Sequence, residues 1–96
     1  MKPKRRYHKE QDYVYYTIKY SQILHREDGP ALHSYNGTRA WYRYGALHRV
    51  DGPAAITMNN GLLWCINGFC FKKEEWLEKL TEEQKAKMLF SEYFIK

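Results

Sequence analysis

Leu24-His25-Arg26-Glu27-Asp28-Gly29-Pro30-Ala31 and Leu47-His48-Arg49-Val50-Asp51-Gly52-Pro53-Ala54 are one phrase written twice. Only the fourth position differs. Trp41 and Trp64 follow the two phrases at matching places, as do Gly45 and Gly68, and every pair is 23 residues apart. Self-similarity at a fixed period of this kind marks a chain built from stacked supersecondary units. The span from Leu24 to Phe71 therefore reads as two copies of one unit.

Each copy has the punctuation of β-structure. In Asp28-Gly29-Pro30 and Asp51-Gly52-Pro53, glycine is expected to supply a positive φ and proline to return the chain to an extended path. Ala31 to Tyr35 reads as a strand, and Asn36-Gly37 as a type I′ hairpin turn. Thr38 to Tyr44 then reads as one return strand, with Arg39, Trp41 and Arg43 on one face and Ala40, Tyr42 and Tyr44 on the other. The second copy repeats the plan with Ala54 to Met58, a turn at Asn59-Asn60-Gly61, and Leu62 to Ile66. Asn67-Gly68 turns into Phe69 to Phe71. The hairpin glycine is six residues after Ala31 but seven after Ala54, so the loop is expected to absorb a change in length.

Outside the repeats, Asp12 to Tyr20 is β-branched and aromatic and predicts a strand. It serves as a degenerate first unit capping the array. Lys72 to Leu80 predicts a helix, and Thr81-Glu82-Glu83-Gln84 is a capping box that opens a second one. That helix carries Ala86, Leu89, Phe90, Tyr93 and Phe94 as an apolar stripe. Residues 1–11 are polar and without period, and read as a basic flexible arm. Residues 12–96 form one domain: a capping strand (12–23), two repeats (24–71) and a helical cap (72–96). The fold class is α+β, an antiparallel meander of hairpin repeats with C-terminal helices packed on one face.

The net charge of +5 is uneven. Residues 1–10 carry +4, residues 11–71 carry +1, and residues 72–96 balance six Lys with six Glu. Charge thus marks the N-terminus more than the body. No apolar run approaches the ~20 residues of a membrane span, and no secretory signal is legible. Cys65 and Cys70 are the only cysteines. They are expected to be packing thiols in a cytoplasmic protein, although they flank a turn across which they could face each other.

The phrase His-Arg-x-Asp-Gly-Pro-Ala, followed by a turn glycine, a tryptophan and a second turn glycine, resembles short repeats of tailed-phage and bacterial proteins. These are similar to MORN-variant repeats, some of them antitoxin-like. His25, Arg26, Asp28, Gly29, Pro30, Ala31, Trp41 and Gly45 carry the likeness in the first unit. His48, Arg49, Asp51, Gly52, Pro53, Ala54, Trp64, Asn67 and Gly68 carry it in the second. The resemblance implies antiparallel hairpins stacked into a sheet that serves as a binding surface.

No nucleophile motif, phosphate loop or metal-ligand spacing is present, so neither an enzyme nor a cofactor or metal is expected. His25, Asp28, His48 and Asp51 read as turn chemistry repeated once per unit. The expected function is that of a phage-type accessory protein that binds and inhibits a host protein, a toxin or defence component, in the host cytoplasm. Its candidate contacts are Tyr13, Tyr15, Arg39, Arg43 and Tyr44, since Trp, Tyr and Arg dominate protein hot spots. The alternative is nucleic-acid binding through Lys4, Arg5, Arg6, Arg39 and Arg43. A monomer or small homo-oligomer is expected.

Overall fold

The computed structural model describes residues 2–9 and 12–88. Strands β1 (Lys4–His8), β2 (Tyr13–Thr17), β3 (Leu32–Ser34), β4 (Arg39–Ala40), β5 (Tyr42–Arg43), β6 (Ala46–Leu47), β7 (Ala55–Ile56), β8 (Leu62–Ile66) and β9 (Phe69–Phe71) precede helices α1 (Lys73–Glu78) and α2 (Glu82–Met88). Seven strands form one sheet in the order β1-β2-β3-β4-β7-β8-β9, and β5 and β6 form a separate hairpin. All pairings are antiparallel. The α+β meander is as expected, with short helices.

Lys4–His8 is a strand and not a solvated arm: five residues pair with β2, from Lys4 opposite Thr17 to His8 opposite Tyr13. β2 needs a partner for its outward main chain, and that demand overrides the polar composition of its neighbour. Arg6 Nε donates to the hydroxyl of buried Thr17 at 2.8 Å, so one basic side chain helps to seal the sheet.

The predicted return strand is broken at Trp41. Arg39 and Ala40 stay in the main sheet, while Tyr42 and Arg43 leave it for the small hairpin. The backbone shows why. Trp41 N–H donates to Ala54 O at 2.7 Å, whereas Tyr42 O accepts from Arg26 N–H at 3.1 Å. The strand thus hands over from one neighbouring segment to another within two residues.

The turns also differ in kind from expectation. Gly37 has φ +94°, but Asn36 is not left-handed, and Ser34 N–H closes a three-residue loop onto Thr38 O at 3.0 Å. In the second unit Thr57 N–H closes the same loop onto Gly61 O at 2.9 Å, and Asn60 takes the left-handed place at φ +62°. Gly37 and Asn60 are 23 residues apart. The loops therefore do not differ in length, because Asn60 tolerates the conformation that Gly37 adopts. The type I′ turns are Tyr44-Gly45 and Asn67-Gly68, where both residues have positive φ.

The segment before the first repeat resembles a unit in its backbone bonds, with a shift. Tyr16 makes the backbone bonds that Trp41 makes: its N–H donates to Ala31 O and its O accepts from His25 N–H, matching Trp41 with Ala54 and His48. The offset is 25 and not 23, because the turn between Thr17 and Leu24, which form a bridge, is two residues longer than that between Tyr42 and Leu47.

Cys65 and Cys70 are joined as a disulfide across the β8–β9 pair, with Cα atoms 3.9 Å apart. They are not separate thiols. Their pair occupies the place of Tyr42–Leu47 in the preceding unit, where the register already brings the two side chains together.

The helical end closes the core. Trp76 and Leu80 pack with Trp64, and Val50, Ile66, Phe71 and Leu77 surround them. Trp76 and Trp64 are tilted with centroids 4.7 Å apart. The capping box forms as predicted: Gln84 N–H donates to Thr81 Oγ1 at 3.1 Å, and Thr81 N–H donates to Gln84 Oε1 at 2.8 Å. Of the apolar stripe, Leu89, Phe90, Tyr93 and Phe94 lie outside the described residues. No helix among the described residues is long and apolar enough to cross a membrane.

Candidate functional site

The repeated phrase builds the joints between units. Arg26 Nε donates to Asp28 Oδ1 at 2.9 Å and Nη1 to Pro30 O at 3.2 Å. Arg49 makes the same two bonds to Asp51 and Pro53 at 2.8 and 3.1 Å. Pinned in this way, each guanidinium lies over the aromatic ring of the unit before it, Arg26 over Tyr16 at 4.0 Å and Arg49 over Trp41 at 3.9 Å. The bond from Arg26 and its charge hold the Asp28 carboxyl below its usual range. Gly29 and Gly52 are not left-handed. They leave room for the arginine, since a Cβ on Gly52 would stand 2.7 Å from the Arg49 guanidinium carbon.

The histidines act within each unit. His25 Nδ1 accepts from Tyr44 N–H and His48 Nδ1 from Asn67 N–H, both at 3.0 Å. Each histidine thereby caps the type I′ turn of the following hairpin. Burial, and then the nearby Arg43 charge, push the His48 pKa down. Trp41, Arg43, His48, Arg49, Gln84 and Lys87 line a groove of about 730 Å³, which also receives Glu27, Asp28 and Asp51. Its arginines at 26 and 49 are engaged by aspartates, so it is a seam between units.

The open surface is elsewhere. The strand register aligns Tyr7, Val14, His33, Arg39, Ile56 and Leu62 across six strands, and residues directly opposite share a face. Tyr7, His33, Arg39 and Leu62 are exposed, and Val14 and Ile56 are half-buried. Arg5 joins this face two residues from Tyr7. Tyr7 donates its hydroxyl to Asp12 Oδ1 at 2.6 Å, which raises its pKa. The row therefore offers an aromatic ring, an imidazole, a guanidinium and aliphatic side chains on a continuous backbone.

No protein-family model, curated protein or solved structure matches this chain.

The expected contact residues fall in three places. Arg39 lies on the open row. Tyr13 and Tyr15 point to the opposite face, where the aligned row is Arg6, Tyr15, Leu32, Ala40, Ala55 and Leu63; Tyr13 stacks on His8 at 4.9 Å. Arg43 and Tyr44 sit on the β5–β6 hairpin, Arg43 at the groove and Tyr44 on the His25 ring at 4.3 Å. The nucleic-acid set divides likewise: Arg5 shares the face of Arg39, while Lys4 and Arg6 lie on the other. Of the row, Tyr7, Val14, His33, Ile56 and Leu62 are not among the expected contact residues. The basic, unpatterned composition of Lys4–His8 gave no sign of Tyr7.

Proposed function

We propose that this chain is a non-enzymatic protein-binding module, and that its contact surface is the row Tyr7–Val14–His33–Arg39–Ile56–Leu62. The observation that carries the reading is the exposure of Tyr7, His33, Arg39 and Leu62 along a row registered across six strands. A sheet face mixing aromatic, Arg and aliphatic side chains suits a protein interface, where such residues supply most of the energy. With the repeats it resembles, the module fits a phage-type accessory protein that occupies and inhibits a host toxin or defence component.

The test is capture from a host lysate by the wild-type chain and by the double variant Arg39→Glu, Leu62→Glu. Both side chains are exposed, so the fold is expected to persist. A partner retained by wild type should be lost by about tenfold or more in the variant. Equal recovery by both would remove the row from the contact.

Nucleic-acid binding is favoured by one observation, the presence of exposed Arg5 and Arg39 on a single face. Its signature is binding of single-stranded DNA with a steep salt slope, reduced by Arg5→Glu. Deleting residues 1–9 is not a clean test, because it removes a strand.

A further inference from the structure

β1 ends the seven-stranded sheet, and among the described residues no strand pairs with its outer side. The direction of its backbone follows from β2. Tyr16 N–H and O are spent on Ala31 and His25, away from β1. Main-chain direction alternates along a strand, so Tyr13, Tyr15 and Thr17 face β1. Their partners His8, Arg6 and Lys4 face inward. Arg5 and Tyr7 therefore turn their N–H and C=O groups to the open edge, and both side chains are exposed.

Such an edge is a template for another strand. Its charge selects which one. Lys2, Lys4, Arg5, Arg6 and Lys9 surround it, and five cations within eight residues disfavour pairing with a second copy, since like charges opposite one another destabilise a ladder. The same charges favour a strand carrying carboxylates at alternate positions. We propose that the β1 edge takes up an extended acidic segment of a partner protein by strand addition, with Arg5 and Tyr7 supplying the main-chain bonds. This rests on the protein-binding reading and names the chemistry of the partner.

The probe is a short peptide of alternating Glu and Val, with a control of equal charge whose central Val is Pro. Amide hydrogen exchange of the full chain reads the result. Arg5 and Tyr7 amides should gain about tenfold protection or more with the first peptide and none with the second. The Lys4, Arg6 and His8 amides, already bonded to β2, should change little. Arg5→Glu should weaken the effect. A synthetic chain with N-methylated Tyr7 should lose it while keeping its melting temperature. Absence of binding, equal binding of the Pro peptide, or protection away from Arg5 and Tyr7 overturns the proposal. Protection of these amides by self-association in the absence of peptide also overturns it, in favour of a second copy. The double variant Arg39→Glu, Leu62→Glu leaves this edge intact and should still bind the peptide, so failure of the row and failure of the edge are read separately.

Discussion

Arg49 lies over Trp41 with its guanidinium carbon 3.9 Å from the ring centroid, and Arg26 repeats the relationship on Tyr16 at 4.0 Å. One unit thus holds the ring of the unit before it with a cation that is itself fixed by Asp and by a proline carbonyl. A third ring, Trp64, ends the series. No phrase follows it, and Trp76 packs against it instead. The array stops where a helix replaces the arginine loop.

Gly52→Ala tests this joint. The new Cβ would meet the Arg49 guanidinium carbon at 2.7 Å, against 3.0 Å for the equivalent change at Gly29. Arg49 would have to leave Trp41, losing a cation–π contact of about 1–2 kcal/mol. Thermal melts should show Gly52→Ala to be more damaging than Gly29→Ala. Equal melting temperatures for Gly52→Ala and wild type would show that the stack contributes little.

Tyr44 has φ +49°, a left-handed conformation that costs a bulky residue about 1–2 kcal/mol. Its counterpart is Asn67, which bears that conformation more easily. Tyr44→Asn should therefore stabilise the fold by about 0.5–1 kcal/mol after loss of the His25 stacking. If Tyr44, which is 65 % exposed, touches a partner, the same variant binds less well while melting higher. Denaturant unfolding and binding on the same samples separate the two effects.

His48 makes stability depend on pH. Its pKa is lowered by burial and then by Arg43, from an ordinary value of 6.5. The unfolded chain then binds more protons than the folded one as pH falls below 6.5. Its contribution is complete above that value and is lost as pH falls through the lower folded pKa. Protonating Nδ1 would also remove the acceptor for Asn67 N–H. Stability compared between about pH 7.5 and 5 should fall more in wild type than in His48→Gln. Parallel profiles would count against this role.

Trp76 is fully buried and donates Nε1–H to Arg49 O at 3.0 Å. Trp76→Phe keeps much of the apolar contact but removes this hydrogen bond, at about 1–3 kcal/mol. Trp76→Ala should cost about 3–5 kcal/mol by opening the core. Chemical denaturation of the two variants should rank them in that order, with the Arg49–Trp41 joint weakened in both.

What depends on near neighbours was legible in the residue order. The period of 23, the β8 and β9 hairpin around Asn67-Gly68, and the Thr81–Gln84 capping box are written in short-range chemistry and appear as read. Misjudged local details had local causes: Asn60 could take a glycine's backbone conformation, and Gly52 served an arginine's space in place of its own torsion.

Tertiary structure alone decided the rest, because register is a relation between segments distant in sequence. A polar run became β1 once β2 required a partner, and Cys65 met Cys70 because the hairpin register set them opposite. Tyr13 and Arg39, both attractive as contacts on paper, were sent to opposite faces by two intervening strand pairings. In a sheet, a side chain's face follows from which residues pair, and a slip of one residue reverses it.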